Sequence, residues 1–316
     1  MVFRTVGTSQ LQVSPLCLGG NVFGWTADQD QSFAVLDAYR SAGGNFVDTA
    51  DTYSSWVPGH QGGESEHIIG EWLRSRGCRD EVVVATKVSQ HPEFHGLSAT
   101  NIARAADASL TRLNTDYIDL YYAHFDDETV PLEETVQAFS ALVDAGKVRY
   151  IAVSNYSAER LDEWFRVTQS GGFHHAVALQ PHYNLVERDY ERGARVVVER
   201  EHLGVMPYFA LAAGFLTGKY RDGIVVESAR AQGAARYLDD RGRAVLSALD
   251  SVASAHGVSV ASVALAWLAA QPTVTAPIAS ARTLQQLPDL LAGVELHLTA
   301  EEIQALTDAS DRDATV

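Results

Sequence analysis

Four polar side chains stand where short β-type runs end: Asp48 in NFVDT, Tyr53 just beyond it, Lys87 at the end of VVVATK and His124 at the end of YIDLYYAH. A lysine buried at a strand end needs a counter-charge, and an aspartate at the end of the neighbouring strand supplies one. An ammonium beside a phenol favours the phenolate, so Lys87 is expected to lower the Tyr53 pKa from its ordinary value near ~10. Tyr53 then serves as a proton donor, and His124 donates a hydrogen bond to a carbonyl oxygen held between the two rings. The chemistry that fits is reduction of C=O to an alcohol. Each residue alone has an ordinary explanation, as turn cap, core ring, satisfied imidazole or snorkelling amine. Their joint placement is what points to a site. No side chain supplies a hydride, so this chemistry needs an external donor.

Elements that would position these residues recur along the whole chain. Eight β-type runs cover 16–19, 45–49, 82–87, 117–124, 150–155, 176–180, 204–209 and 273–279. They are rich in Val, Ile and Tyr with little alternation, as strands covered on both faces should be. Between them lie helical stretches such as SFAVLDAYRSAG, ESEHIIGEWLRSRG, TNIARAADASLTRLN, PLEETVQAFSALVDAGK and SAERLDEWFRVTQSGG, several opening on Ser, Thr or Pro and closing on Gly. The alternation predicts an α/β chain folded as a (β/α)8 TIM barrel, one domain over 1–316, with chemistry at the C-terminal strand ends. A G-T-S turn between FRTV and LQVS predicts an N-terminal β-hairpin plugging one end. Residues 211–237 read as one long loop, the tail DASDRDATV as a frayed end, and the segments after the eighth run as extra C-terminal helices. A doubly wound sheet is the competing architecture, but its G-x-G-x-x-G fingerprint after the first strand is missing.

Composition excludes several classes. The chain has 316 residues, 46% of them hydrophobic and 20% charged, which is enough to fill a large core. A net charge of -16 repels phosphate backbones and anionic lipid, so no nucleic acid and no membrane are expected as partners, while self-association stays open. Cys17 and Cys78 fit no metal-ligand spacing and no disulfide framework, which points to a reducing, cytoplasmic setting without a metal.

The motifs FVDTADTYS, VVVATKV and LYYAH resemble, in order and on matching strands, those that carry the catalytic tetrad of the aldo-keto reductase superfamily. The resemblance runs from LCLGGNVFGW to the helix after IASARTLQQL. It implies an NADPH-dependent oxidoreductase with Asp48, Tyr53, Lys87 and His124 as tetrad. It further implies that Ser154 and Asn155 of GKVRYIAVSNYS, with Gln180 of ALQPHYNLVER, hold the nicotinamide carboxamide, and that Tyr208 stacks on the ring. Gly20, Asn21 and Asp48 match further cofactor contacts. LAAGFLTGKY resembles the loop crossing the pyrophosphate, bringing in Leu211, Gly214 and Lys219, with Arg230 a further contact. Ser280, Arg282, Gln286 and Asp289 fall where relatives grip the 2′-phosphate and adenine. Arg282 is the expected NADPH selector, because a guanidinium pairs bidentately with a phosphate dianion.

Three positions depart from the family pattern: Phe209 replaces a serine, leaving only its backbone N–H for phosphate, Leu290 replaces an asparagine, and Ser280 a glycine. Trp25, Trp56 and Phe125, with Tyr53 and His124, are expected to wall a small-molecule carbonyl substrate; aldehydes, quinones, keto-sugars and steroid ketones all remain open. A second function keeps fold and cofactor but makes the protein an NADPH-binding redox sensor or auxiliary subunit, like the reductase-like subunits of potassium channels. A third makes Lys87 a Schiff-base former.

Overall fold

The structure is a computed structural model whose described residues are 1–311. It opens on an antiparallel pair, β1 (Arg4–Thr5) and β2 (Gln12–Val13). At the turn between them Gly7 has φ +50°, and a Cβ there would lie 2.2 Å from the Val177 carbonyl oxygen. Only glycine lets the hairpin press so closely against the barrel floor. Val6, Leu11 and Val13 are buried and join Cys17, Phe46, Leu120, Tyr122 and Met206 in one cluster, so the hairpin plugs the N-terminal end as expected.

Eight strands form a parallel sheet: β3 (Cys17–Gly19), β4 (Phe46–Asp48), β5 (Val83–Val88), β8 (Ile118–Ala123), β9 (Val148–Ser154), β10 (Ala176–Gln180), β11 (Gly204–Val205) and β12 (Ile278–Ala279). A small antiparallel pair, β6 (Gln90–His91) with β7 (Phe94–His95), follows β5. The spatial order is β11-β10-β9-β8-β5-β4-β3-β12. The ring closes through a parallel bridge between Val205 and Val274, with the Ile278 N–H donating to the Pro207 carbonyl at 2.9 Å. Strand residues split by parity. Phe46, Ala85, Leu120, Tyr122, Ala152 and Ala178 fill the interior. Val47, Val84, Tyr121, Val153 and Leu179 pack outward against helices.

The outer layer begins with α1 (Gln29–Ser41), α2 (Glu64–Arg76), α3 (Ala99–Leu113), α4 (Leu132–Asp144) and α5 (Ala158–Gly171). Local chemistry sets their ends. Asp28 and Gln31 form a capping box on α1, Ser98 and Ser157 accept from the first turns of α3 and α5, and Gly77, Asn114 and Gly172 end α2, α3 and α5 in the left-handed region. Then come α6 (Asp189–Arg192), α7 (Arg195–Arg200), α8 (Ala231–Ala235), α9 (Asp240–His256), α10 (Val260–Ala269) and the extra α11 (Leu287–Glu295) and α12 (Ala300–Ala309).

Two expectations need correction. Residues 211–237 are not one loop: a tight helical turn spans Ala212–Thr217 and α8 forms at Ala231–Ala235. Ala212, Phe215, Leu216 and Ala234 are buried there, so tertiary packing orders a stretch whose own periodicity is poor. The start of the polar tail is also ordered. Asp308 and Ala309 close α12, which the Thr299–Glu302 capping box begins and the Thr307 carbonyl, accepting from Arg188, ties down. The rest of that tail, 312–316, lies outside the described residues. No single helix among the described residues is long and apolar enough to cross a membrane.

Candidate active site

Parallel strands in a closed barrel end on one rim, and the tetrad residues meet there. Asp48 ends β4, Lys87 stands next to the end of β5, and His124 follows β8. The turn after β4 folds over Lys87: the Asp51 N–H donates to the Lys87 carbonyl at 3.2 Å, and Ser54, at φ +73°, donates its hydroxyl to the Phe23 carbonyl. That turn carries Tyr53 to the lysine. The Lys87 ammonium donates to Asp48 Oδ2 at 2.6 Å, to the Thr49 carbonyl at 2.7 Å and to the Tyr53 hydroxyl at 3.1 Å. Its three hydrogens are all used.

Burial alone favours the neutral amine, but Asp48 and Tyr53 outweigh it and hold the Lys87 pKa above its ordinary value. A persistent ammonium cannot attack a carbonyl, so this environment is wrong for a Schiff base. The Tyr53 expectation is corrected. Burial pushes its hydroxyl up to about 12, against the pull of Lys87, because removing a phenolate from water costs more than one ammonium returns. Burial, and then Lys87, push the His124 pKa well below its ordinary value, so its imidazole is neutral and retains one N–H to donate.

A second chain of hydrogen bonds starts on the same aspartate. Gln180, ending β10, donates to Asp48 Oδ1 at 2.9 Å, and its carbonyl accepts from Ser154 Oγ at 2.9 Å. Asn155 Nδ2 donates to Ser154 Oγ and to the His124 carbonyl, both at 3.0 Å, while Asn155 Oδ1 accepts from the Tyr208 hydroxyl at 2.7 Å. Lys87, Asp48, Gln180, Ser154, Asn155 and Tyr208 therefore form one connected unit around the rim.

Beside it the backbone is strained. Phe209, Ala212 and Ala213 have φ of +50°, +48° and +56°, followed by Gly214 at +97°. Positive φ at three non-glycine residues costs free energy and marks a backbone bent to a purpose. The Leu211 carbonyl accepts from the Gly214 N–H, and a Cβ on Gly214 would lie 3.8 Å from the Lys219 ammonium. Arg230 is partly buried with its Cζ 5.4 Å from the Trp25 ring centroid, and its Nη2 has no hydrogen-bond partner among the described residues. Burial, and then the nearby Arg282 charge, lower the Arg230 pKa. Two guanidiniums thus face one region.

Across the mouth, Ser280 Oγ donates to Asn21 Oδ1 at 2.7 Å, and a Cβ on Gly19 would come within 2.6 Å of that Oγ. A Cβ on Gly20 would meet Ser65 Oγ at 2.8 Å. The Arg282 N–H donates to Gln286 Oε1 at 2.9 Å. Asp289 is exposed and held by its carbonyl, which accepts from Ser262 Oγ. Leu290 is only 3% exposed and packs into the core, so it offers a ligand nothing.

The Aldo/keto reductase family pattern matches residues 15–311, spanning all eight barrel strands and both chains of the rim network. The protein is an aldo/keto reductase family oxidoreductase. It is 33% identical to norsolorinic acid reductase B of Aspergillus parasiticus over 96% of this chain and 83% of that one. A probable voltage-gated potassium channel subunit beta of Oryza sativa subsp. japonica is 34% identical, covering 94% of this chain and 92% of its own. An aryl-alcohol dehydrogenase of Pestalotiopsis microspora is 30% identical over 97% and 81%.

The reductase has an aromatic mouth. Trp25 and Trp56 meet edge to face with centroids 5.5 Å apart, Trp56 lies 6.1 Å from Tyr53, and Phe125 lies 5.0 Å from His124. Trp56 and Phe125 are 48% and 41% exposed, so both rings lie at the surface of the rim rather than in the core.

Three features escaped the sequence reading. The Thr49 carbonyl is a lysine ligand that no side-chain motif reports. Glu66 is fully buried, accepting from Arg112 Nε at 2.7 Å and Thr86 Oγ1 at 2.6 Å, a pairing across α2, α3 and β5 invisible in one dimension. His182 stacks on Tyr208; its only signal was its place two residues after Gln180.

Proposed function

We propose that the protein reduces an aryl aldehyde or ketone to its alcohol with NADPH as donor, Tyr53 acting as general acid. The observation that carries this reading is the unbroken run of contacts from the Tyr53 hydroxyl through Lys87 and Asp48 to Gln180, Ser154, Asn155 and Tyr208. It couples a proton donor to a set of amide, hydroxyl and aromatic groups suited to a nicotinamide carboxamide and ring.

The other residues fit the rest of that cofactor. Arg230 and Arg282 form a cationic region in which, among the described residues, one buried Arg230 nitrogen lacks a partner and neither guanidinium has an ion-paired carboxylate, suited to phosphates. The strained turn carrying Phe209, Leu211 and Gly214, with Lys219 alongside, offers backbone N–H groups to a pyrophosphate. Gly20, Asn21, Ser280, Gln286 and Asp289 would border the adenosine end, with Arg282 on the 2′-phosphate. When bound, NADPH supplies the hydride.

The chain's own residues handle the proton. Tyr53 is protonated at neutral pH, as an acid must be, and its proton passes to the substrate oxygen. The phenolate left behind lies 3.1 Å from the Lys87 ammonium. Lys87 therefore interacts most strongly as charge develops, which is where stabilisation accelerates reaction. Asp48 keeps the ammonium aimed, and neutral His124 polarises the carbonyl. The exposed Trp56 and Phe125 with Trp25 favour a flat aromatic substrate, and the likeness to an aryl-alcohol dehydrogenase supports that class. A panel of aryl and alkyl carbonyls, followed by NADPH absorbance, tests the proposal: multiple turnovers with aryl members are expected, and none with any member would refute it.

The likeness to a potassium channel subunit favours a second reading, a redox sensor that holds NADPH and turns over little. Oxidation of bound NADPH in a single slow turnover, with every good carbonyl substrate, would select it.

A further inference from the structure

Tyr208 is fixed at its edge and on one face. Its hydroxyl donates to Asn155 Oδ1 at 2.7 Å, which sets the edge. The His182 imidazole lies parallel to the ring, with centroids 5.1 Å apart and planes 17° apart, the geometry of an offset stack. A backbone bridge between His182 and Tyr208 ties the two segments, with the Tyr208 N–H donating to the Pro181 carbonyl at 3.0 Å. Phe209 is 5.3 Å from the Tyr208 centroid and 5.5 Å from that of His182, at 63° and 70°. Near-equal distances and steep angles put Phe209 beside the pair, not across the second face of Tyr208. Among the described residues no ring other than those of His182 and Phe209 packs on Tyr208, which is only half-buried.

The imidazole is not there for a hydrogen bond at its inner nitrogen: Nε2 is buried and has no partner among the described residues. Burial lowers its pKa, with Arg236 pushing the same way against Glu187 and Asp189. A neutral, flat ring results, suited to stacking.

We propose that His182 is a positioning residue for the cofactor, its imidazole backing the Tyr208 ring so that a nicotinamide meets an already fixed plane. This rests on the reading that Tyr208 is the nicotinamide platform. A plane ordered before binding spares the cost of ordering it during binding, and it holds the reacting carbon at a defined height over the rim.

The test titrates the full-length protein and three variants with NADPH and with 2′-phospho-ADP-ribose, which lacks the nicotinamide. His182→Ala should weaken NADPH roughly five- to tenfold, the worth of one aromatic pair. It should leave 2′-phospho-ADP-ribose within about twofold, and His182→Phe, which keeps a flat ring, should recover most of the NADPH affinity. Equal weakening of both ligands, or no recovery in His182→Phe, would overturn the proposal by showing a general structural role. Tyr208→Ala separates the two readings. If it leaves NADPH affinity unchanged, the platform reading falls and His182 with it. If it weakens NADPH while His182→Ala does not, the platform stands and the His182 proposal alone is lost.

Discussion

The barrel holds a buried carboxylate with cations at each end, and the two sites are used differently. At the N-terminal end, Asp119 near the start of β8 is 1% exposed and accepts from Arg79 Nη2 at 2.7 Å, Arg149 Nη1 at 2.8 Å and the Val84 N–H at 2.9 Å. Both guanidiniums lie 3.9 Å from the Tyr117 ring centroid. At the C-terminal end, Asp48 accepts from Lys87 and Gln180, and Lys87 gives its other two hydrogens to the Thr49 carbonyl and the Tyr53 hydroxyl. Asp119 closes a circuit; Asp48 begins one that ends on the Tyr53 hydroxyl. On the proposed function, similar chemistry serves stability at one rim and reaction at the other, the division expected of parallel barrels.

The sharpest break in that comparison is Tyr53→Phe, which keeps the ring and removes the acid. Carbonyl reduction in single turnover should fall by roughly 10² to 10⁴, the worth of a positioned acid. NADPH affinity should change little. A near wild-type rate would move proton donation to His124 or water.

Neutralising the two carboxylates comes next. Asp48→Asn leaves the fully buried Lys87 ammonium without its counter-charge, so roughly 3 to 5 kcal/mol of stability should go, along with turnover. Asp119→Asn leaves two arginines that reach solvent, their side chains 15% and 50% exposed. Its cost should be nearer 1 to 3 kcal/mol, the range of a charge-assisted hydrogen bond, with kcat/KM intact. Urea unfolding and steady-state rates on both variants check this. Equal losses of activity would erase the distinction between the rims.

The same contrast shows what one dimension reveals. All eight strands were legible, because strands buried on both faces read as apolar runs, and AVALQ matches β10 residue for residue. That Asp48, Tyr53, Lys87 and His124 come together was legible because strand ends in a parallel barrel share a rim. The Tyr53 pKa was misjudged because sequence names the neighbour, Lys87, while desolvation depends on everything packed around the ring. Residues 211–237 were misread for a related reason: left-handed Ala212 and Ala213 contradict local preference and persist only under tertiary constraint. His182 and the Glu66–Arg112 pair carry no motif, since their partners lie on other elements.

A smaller effect is expected at the cofactor's far end. Arg282→Ala should erase most of an NADPH over NADH preference of at least about tenfold, near 1.4 kcal/mol, while melting temperature holds. Equal binding of both cofactors by the wild-type protein would remove Arg282 from the 2′-phosphate site. Loss of selectivity without loss of stability would place this loop with the reactive rim.

The smallest effect concerns His124 and acid. In the folded protein, burial and then Lys87 hold its pKa well below the ordinary value, whereas in the unfolded chain it takes up a proton near ~6.5. Below that pH the unfolded state binds more protons, so stability falls as pH falls, and the contribution is complete only above the unfolded pKa. His182 and His91 are shifted the same way by burial, so wild-type acid sensitivity is shared among them. A His124→Asn variant isolates one share. Its stability loss between pH 7.5 and 5 should be smaller than that of wild type, measured as urea midpoints at both pH values. In the wild-type protein, the His124 ring proton signals should show no titration near the ordinary histidine value. An imidazole that titrates there would be charged during turnover at mildly acidic pH, with both nitrogens donating. Polarisation of the carbonyl would then strengthen as pH fell, and the reduction rate would rise through that range instead of staying level.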